Sequence, residues 1–200
     1  MNAKIPPTSF SRTAPKRPFK TIEGVQRFFQ LTTKEVDLIR SLARVADPNG
    51  REHLEFVKLA ESAPNTFIEL GPALFSFPYQ DTHRTHWPED QRQTVAVENR
   101  AWAVAKCGNP ELAVEIFAKV AFELPEVFID IFIALMIDSV QDETKLIRTI
   151  FHALKKKPGF NVQDVFELIN KKIERKFPDE NVAKAEKEKI LQSYKEVMME

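Results

Sequence analysis

The chain has 200 residues, 43% of them hydrophobic, and its 29 basic side chains balance 29 acidic ones. The apolar share excludes a wholly disordered protein, and the zero net charge excludes a global field that would steer the molecule to nucleic acid or membrane. Sixteen Phe against two Tyr and two Trp indicate a large aromatic core, because Phe lacks a polar group that would favour the surface.

The N-terminal segment differs from the rest in composition. It holds four prolines and no acidic residue within its first twenty positions. We therefore predict a disordered basic arm over residues 1–20 and a single helical domain over 21–200. The arm has two open interpretations: a solubilising tail, or a contact with nucleic acid or anionic lipid to which Phe10 and Phe19 add stacking or insertion. The basic residues of the arm are Lys4, Arg12, Lys16, Arg17 and Lys20.

Capping signals mark the first helices. Thr21 is a predicted N-cap, and Thr32 followed three residues later by Glu35 has the spacing of a capping box. Behind it, apolar residues recur at the period of a helix. These residues are Val36, Ile39, Leu42, Ala43 and Ala46.

Proline and glycine divide the next stretch. A third helix should follow the turn at residues 47–50 and stop at Pro64, and Asn65 should cap the segment after it. Gly71-Pro72 should break or kink that segment, because proline removes a helical hydrogen bond. Residues 76–87 show no period and predict the longest internal loop.

The second half is predicted to be helical throughout. Pro88 suits a first helical position, Gly108 suits a helix end, Asn109 starts the next helix, and Pro125 ends it. Residues 94–97 are β-branched, but helical flanks favour a helix there. Further helices are predicted at about 126–140, 143–157, 161–177 and 179–199, with caps at Asn161 and Asp179.

The fold class that follows is all-α, with about ten helices. The helix at 126–140 is apolar on nearly every side, so it should be central and buried. Phe117 and Phe151 should lie in the core. The helices should pack as a compact α-domain or as a short right-handed solenoid-like array.

Two helical hairpins, 88–125 and 126–158, correspond at an offset of 34 residues, with Phe117 aligned to Phe151. Over about residues 94–158 the chain resembles a tetratricopeptide-like helical hairpin repeat. The resemblance rests on two small residues, Ala101 and Ala113, and on the turn glycine Gly108. It also rests on the aromatic Phe117 and the closing proline Pro125. The chain departs from the family where Asp142 replaces the second turn glycine and where the first helix lacks the early Trp.

The resemblance implies a scaffold that binds a peptide or helix on the concave face formed by the first helices of the hairpins. The matching positions are Val95, Glu98 and Trp102 in one hairpin and Ile129, Phe132, Met136 and Ser139 in the next. Their mostly apolar character suits a groove for a partner helix, or a groove filled by the chain itself.

No enzymatic motif is present in the sequence. The five glycines are isolated, so the usual nucleotide-binding loops are missing, and we expect no catalytic residue, metal or cofactor. Cys107 could be a nucleophile, but a structural cysteine is the simpler interpretation. Asp81, His83 and His86 offer three potential zinc ligands without a fourth, so surface loop residues explain them better.

We therefore predict a non-enzymatic, cytoplasmic protein–protein interaction module. The alternatives are a nucleic-acid-associated protein that uses the basic arm, and an enzyme with an unrecognised site. The sequence shows no secretory signal or span of about 20 apolar residues. The predicted partner contacts are the helical pair Glu98 and Trp102 and an aromatic loop comprising Phe75, Phe77, Tyr79 and Trp87.

Overall fold

The computed structural model describes residues 19–44, 53–79, 88–124 and 161–200, with single positions at 127, 128, 130–132, 135, 148, 151, 152 and 155. The four long ranges contain eight helices and no strand, and the fold is all-α, as predicted. The helices are α1 (Ile22–Phe29), α2 (Thr33–Leu42), α3 (His53–Ser62), α4 (Pro64–Ser76), α5 (Glu89–Ala105), α6 (Pro110–Glu123), α7 (Val162–Lys176) and α8 (Glu180–Met199).

The predicted caps of the first two helices are confirmed. The Thr21 hydroxyl accepts a hydrogen bond from the Gly24 amide at 3.1 Å and so begins α1. At α2, the Glu35 amide donates to the Thr32 hydroxyl at 3.3 Å, and the Thr32 amide donates to the Glu35 carboxylate at 2.7 Å. The side-chain and backbone hydrogen bonds from Thr32 lower the pKa of Glu35, because they stabilise its charged form.

Three later caps are also confirmed. Asn109 accepts from the Leu112 amide at 3.0 Å and begins α6, with Pro110 in the first turn. Asn161 and Asp179 cap α7 and α8 in the same way. Such side chains accept hydrogen bonds from first-turn amides that have no partner inside the helix. The start of a helix can therefore be predicted from a few neighbouring residues.

Two predicted boundaries were wrong by one or two positions. Ala63, not Asn65, is the N-cap of α4, because Pro64 already occupies the first turn, where its missing N–H costs nothing. Pro88 is the N-cap of α5 and not its first helical residue, since its ψ of 143° is extended.

Helix α4 lies at the centre of the N-terminal helices and contacts α1, α2, α3, α5 and α6. Its most extensive contact is with α6, where the Phe75 and Phe117 rings lie 6.2 Å apart. A Cβ on Gly71 would stand only 2.8 Å from Ile116 Cγ2, so glycine is what allows the two helices to approach so closely.

The predicted break at Gly71-Pro72 was wrong, because α4 continues from Pro64 through Pro72 to Ser76. An interior proline removes one helical hydrogen bond and costs about 3 kcal/mol in an isolated helix. In α4 that cost is offset by burial, since every residue from Leu70 to Ser76 is buried against neighbouring helices.

The predicted core residues Phe117 and Phe151 are buried. So are the described apolar residues of the predicted 126–140 helix: Val127, Phe128, Ile131, Phe132 and Leu135. Apart from Asp130, the rest of that helix lies outside the described residues, as do most of the helix predicted at 143–157 and the turn at 47–50.

Helices α7 and α8 form a C-terminal pair. Tyr194 stacks on Phe166 with ring centroids 4.9 Å apart, and its hydroxyl lies 2.9 Å from Gln163 Oε1, to which it donates. Lys187 pairs with Glu174 across the two helices, and this contact lowers the pKa of Glu174. Among the apolar residues of α8, Ile190 and Val197 are buried, whereas Val182 and Met198 are exposed.

Candidate interaction surface

Helix α5 has two different faces because its side chains repeat every 3.6 residues. One face is wholly buried: Ala96, Val97, Arg100, Ala101, Ala103, Val104 and Cys107. The opposite face is half-buried or exposed along the whole helix, and we call it the outer stripe: Gln91, Thr94, Val95, Glu98, Asn99, Trp102 and Lys106. The stripe contains Glu98 and Trp102, the two helical residues predicted to contact a partner.

Trp102 is the aromatic centre of the outer stripe. The Lys106 ammonium lies one turn further along, 5.1 Å from the centroid of the indole ring, in a cation–π contact. Glu98 lies one turn before Trp102, so an acid, an aromatic ring and a cation follow each other over about 12 Å of helix. This order allows a partner to bury an apolar side chain against Trp102 and to be oriented by two opposite charges.

Tyr79 contacts the other end of the same helix. Its amide donates to Gln93 Oε1 at 3.1 Å, and the Arg92 guanidinium carbon lies 5.9 Å from its ring centroid. Gln93 and Trp102 are nine residues apart, or about 13 Å along the axis. The structure therefore places Tyr79 and Trp102 at separate points on α5 and not in one small aromatic cluster.

Two residues of the predicted aromatic loop are core residues. Phe75 and Phe77 are fully buried, and Phe75 still belongs to α4. Phe77 cannot touch a partner without leaving the core, so the prediction that it contacts a partner was wrong. Trp87 lies outside the described residues.

Arg100 is the residue of this region that sequence reasoning missed. Its side chain is 0% exposed and donates from both terminal nitrogens to backbone carbonyls. Nη1 donates to the carbonyls of Leu74 at 3.0 Å and Phe77 at 2.7 Å. Nη2 lies 3.4 Å from the carbonyls of Ala43 and Pro78. These carbonyls belong to the C-terminal ends of α2 and α4, where a cation complements the helix dipole.

Burial lowers the pKa of Arg100 to about 9, because the charged form loses hydration. That value lies above neutral pH, so the guanidinium stays charged and holds α5 to two other helices. One signal was available in the sequence: Arg100 lies between Val97 and Val104 on the apolar face of its helix, where a cation needs several acceptors.

Cys107 lies at the end of α5, beside a cavity of about 520 Å³. The cavity is lined by Ala60, Glu61, Pro64, Cys107, Gly108, Asn109, Pro110 and Glu111. Burial raises the pKa of the Cys107 thiol, so the nucleophilic thiolate is disfavoured. The surroundings favour the structural interpretation of this cysteine.

The described residues contain no group of three His, Cys, Asp or Glu side chains able to hold a metal ion. The candidate ligands Asp81, His83 and His86 lie outside them. Of the five basic residues predicted in the arm, Lys20 is described and exposed, whereas Lys4, Arg12, Lys16 and Arg17 are outside. In the part of the chain that the structure covers, no helix has the length and apolar character of a membrane span.

No protein-family model, curated protein sequence or solved structure matches this chain.

Proposed function

We propose that the protein is a non-enzymatic interaction module that binds a partner peptide or helix along the outer stripe of α5. The observation that carries the proposal is the half-buried Trp102, placed between Glu98 and Lys106 on the less buried face of a helix whose other face is buried. Trp is the residue type most enriched among the anchors that dominate binding energy at protein interfaces.

The setting of α5 supports this role. The helix has 17 residues and is therefore about 25 Å long, which matches a partner helix of similar length. Arg100 ties its buried face to the ends of α2 and α4. A surface that is rigid before binding loses less conformational entropy when it binds.

The tetratricopeptide-like repeat is part of the proposal. Helices α5 and α6 are joined by a short turn in which Gly108 has a φ of 84°, a conformation that favours glycine. This is the position at which the resemblance expects the turn glycine of the family. A cytoplasmic location is also proposed, since Cys107 is a free thiol that suits a reducing compartment.

The proposal is tested by affinity capture from source lysate followed by mass spectrometry, comparing the wild-type chain with the double variant Glu98→Lys/Trp102→Ala. We expect at least one protein to be retained by the wild type at high salt and lost from the variant. Its affinity for the purified wild-type chain should then exceed that for the variant by about 30-fold or more, because a central Trp anchor contributes about 2 kcal/mol or more.

The matched control is Lys184→Ala/Glu188→Ala, which changes two exposed residues of α8. Circular dichroism and thermal unfolding establish that both variants fold. If the wild type and the Glu98/Trp102 variant retain the same proteins, or if the wild type retains none, the outer stripe is not a binding surface.

A further inference from the structure

Two apolar and two charged residues form a row along the outer stripe of α5. Val95 and Trp102 are its apolar residues, and both are half-buried. Glu98 lies between them in the chain, and Lys106 follows Trp102 by one turn. Residues that are three or four positions apart lie on one side of a helix, so the four side chains make a single row about 16 Å long.

The two charges of the row lie on opposite sides of Trp102. Glu98 is on the side of the N-terminal end of α5, and Lys106 is exposed at its C-terminal end, with its ammonium 5.1 Å from the centroid of the indole ring. The row therefore has a direction. A partner that complements both charges must place a cation opposite Glu98 and an acid opposite Lys106.

A partner helix also has a preferred order for these two charges. The N-terminal end of a helix favours acids and the C-terminal end favours cations, because of the helix dipole. The more stable partner helix is therefore one whose acid precedes its cation. Such a helix can place its acid opposite Lys106 and its cation opposite Glu98 only when it runs antiparallel to α5. In that arrangement the dipoles of the two helices also attract each other.

We propose that the outer stripe binds an amphipathic partner helix that runs antiparallel to α5 and carries an acid, an apolar residue, a cation and a second apolar residue, in that order. The spacings between them are four, four and three residues, which are those of Lys106, Trp102, Glu98 and Val95 in reverse. The two apolar residues are one heptad apart and pack against Trp102 and Val95. This inference rests on the proposed function and adds to it the direction and the residue order of the partner.

An extended peptide matches the row less well than a helix does. Its side chains alternate between two sides, so one side presents a residue about every 7 Å. The row on α5 presents a residue after every three or four positions, or about every 4.5 to 6 Å. Successive residues on one face of a helix have the same spacing, so all four contacts can be made at once.

The test uses two fluorescein-labelled, alanine-rich peptides of about 20 residues, a length at which such sequences form helix in water. The matched peptide carries Glu, Leu, Lys and Leu at the four positions, and the swapped peptide exchanges its Glu and Lys. Fluorescence anisotropy measures the affinity of each for the full wild-type chain. We expect the matched peptide to bind about tenfold more tightly or better.

The swapped peptide loses contacts in either direction. Antiparallel to α5, it places like charges opposite both Glu98 and Lys106. Parallel to α5, it complements both charges, but its second Leu lies beyond Lys106 and no longer reaches Val95. Its charges also oppose its own helix dipole.

Reversing the two charges of the row should reverse the preference. The variant Glu98→Lys/Lys106→Glu should bind the swapped peptide about tenfold more tightly than the matched one, because complementary charges become like charges and the reverse. The matched control Lys184→Glu/Glu188→Lys exchanges two exposed charges of α8 and should keep the preference of the wild type. Circular dichroism and thermal unfolding establish that both variants fold, and the comparison of the two peptides on the wild type depends on neither variant.

The proposal is overturned if the wild type binds the two peptides equally, prefers the swapped one or binds neither. An unchanged preference in the folded charge-reversal variant overturns it as well. Equal binding of both peptides that is lost in Trp102→Ala removes the direction and the residue order but leaves the proposed function standing. The lysate capture decides the proposed function separately, since it requires no particular order of charges in the partner.

Discussion

The helices around α4 and the C-terminal pair α7–α8 are stabilised in different ways. Helix α4 buries eight of its 13 residues, whereas α8 buries four of its 20. Helix α4 therefore depends on contacts with other helices, and α8 depends more on its own residues. The cap at Asp179 and the Ala, Glu and Lys residues that follow it favour a helix locally.

This difference explains why Gly71 and Pro72 are tolerated where they are. Both residues disfavour a helix in isolation, yet both lie inside α4. Burial on several sides outweighs a local cost of a few kcal/mol. A helix such as α8 buries only one stripe of residues. Its packing contacts therefore contribute less free energy to offset a glycine or a proline inside the helix.

The largest expected effect is at the contact between α4 and α6. Phe117→Ala should lower the free energy of unfolding by about 3–5 kcal/mol, because it leaves a cavity beside Phe75 in a fully buried site. Leu191→Ala in α8, where the side chain is only half-buried, should cost about 1 kcal/mol. Urea unfolding measures both, and equal losses would show that the two regions are stabilised alike.

Replacing Arg100 tests whether the N-terminal helices depend on a buried cation. Arg100→Leu should cost about 2–4 kcal/mol, because backbone carbonyls at the ends of α2 and α4 lose their donor. Arg100→Lys should recover only part of the loss. The guanidinium is a planar fork whose two terminal nitrogens reach carbonyls on both helices, whereas a lysine ammonium is a single compact group. A leucine variant as stable as the wild type would mean that burial of the charge costs as much as its hydrogen bonds contribute.

A smaller effect is expected at Gly71. Gly71→Ala should cost about 1 kcal/mol net, because the clash of the new Cβ with Ile116 exceeds the gain in helix propensity. The double variant Gly71→Ala/Ile116→Ala should be more stable than the sum of the two single losses predicts. Strict additivity in this thermodynamic cycle would show that close approach of α4 and α6 is not what requires glycine.

The smallest effect is expected in the C-terminal pair. Tyr194→Phe removes the hydrogen bond to Gln163 but keeps the stacking on Phe166, so it should cost about 0.5–1 kcal/mol. Tyr194→Ala should cost more, because the aromatic contacts with Phe151 and Phe166 are lost as well. Equal losses would show that the hydroxyl, and not the ring, joins α7 to α8.

The sequence by itself determined the class of fold and the starts of most helices. Thr21, Thr32, Asn109, Asn161 and Asp179 cap the helices that they were predicted to cap. Capping depends on residues at most three positions apart, and amphipathic periodicity depends on a single helix. Both signals are therefore visible without knowledge of what the helix packs against. For the candidate site, the same signals placed Glu98 and Trp102 on α5.

Only the tertiary structure decided which side chains are available at the surface. Phe77 is buried, Phe19 joins the folded body, and Arg100 binds carbonyls 22 to 57 residues away in the chain. The continuity of α4 through Pro72 has the same origin. Each outcome depends on the sum of many contacts between distant segments, and such sums outweigh local preferences of about 1–3 kcal/mol.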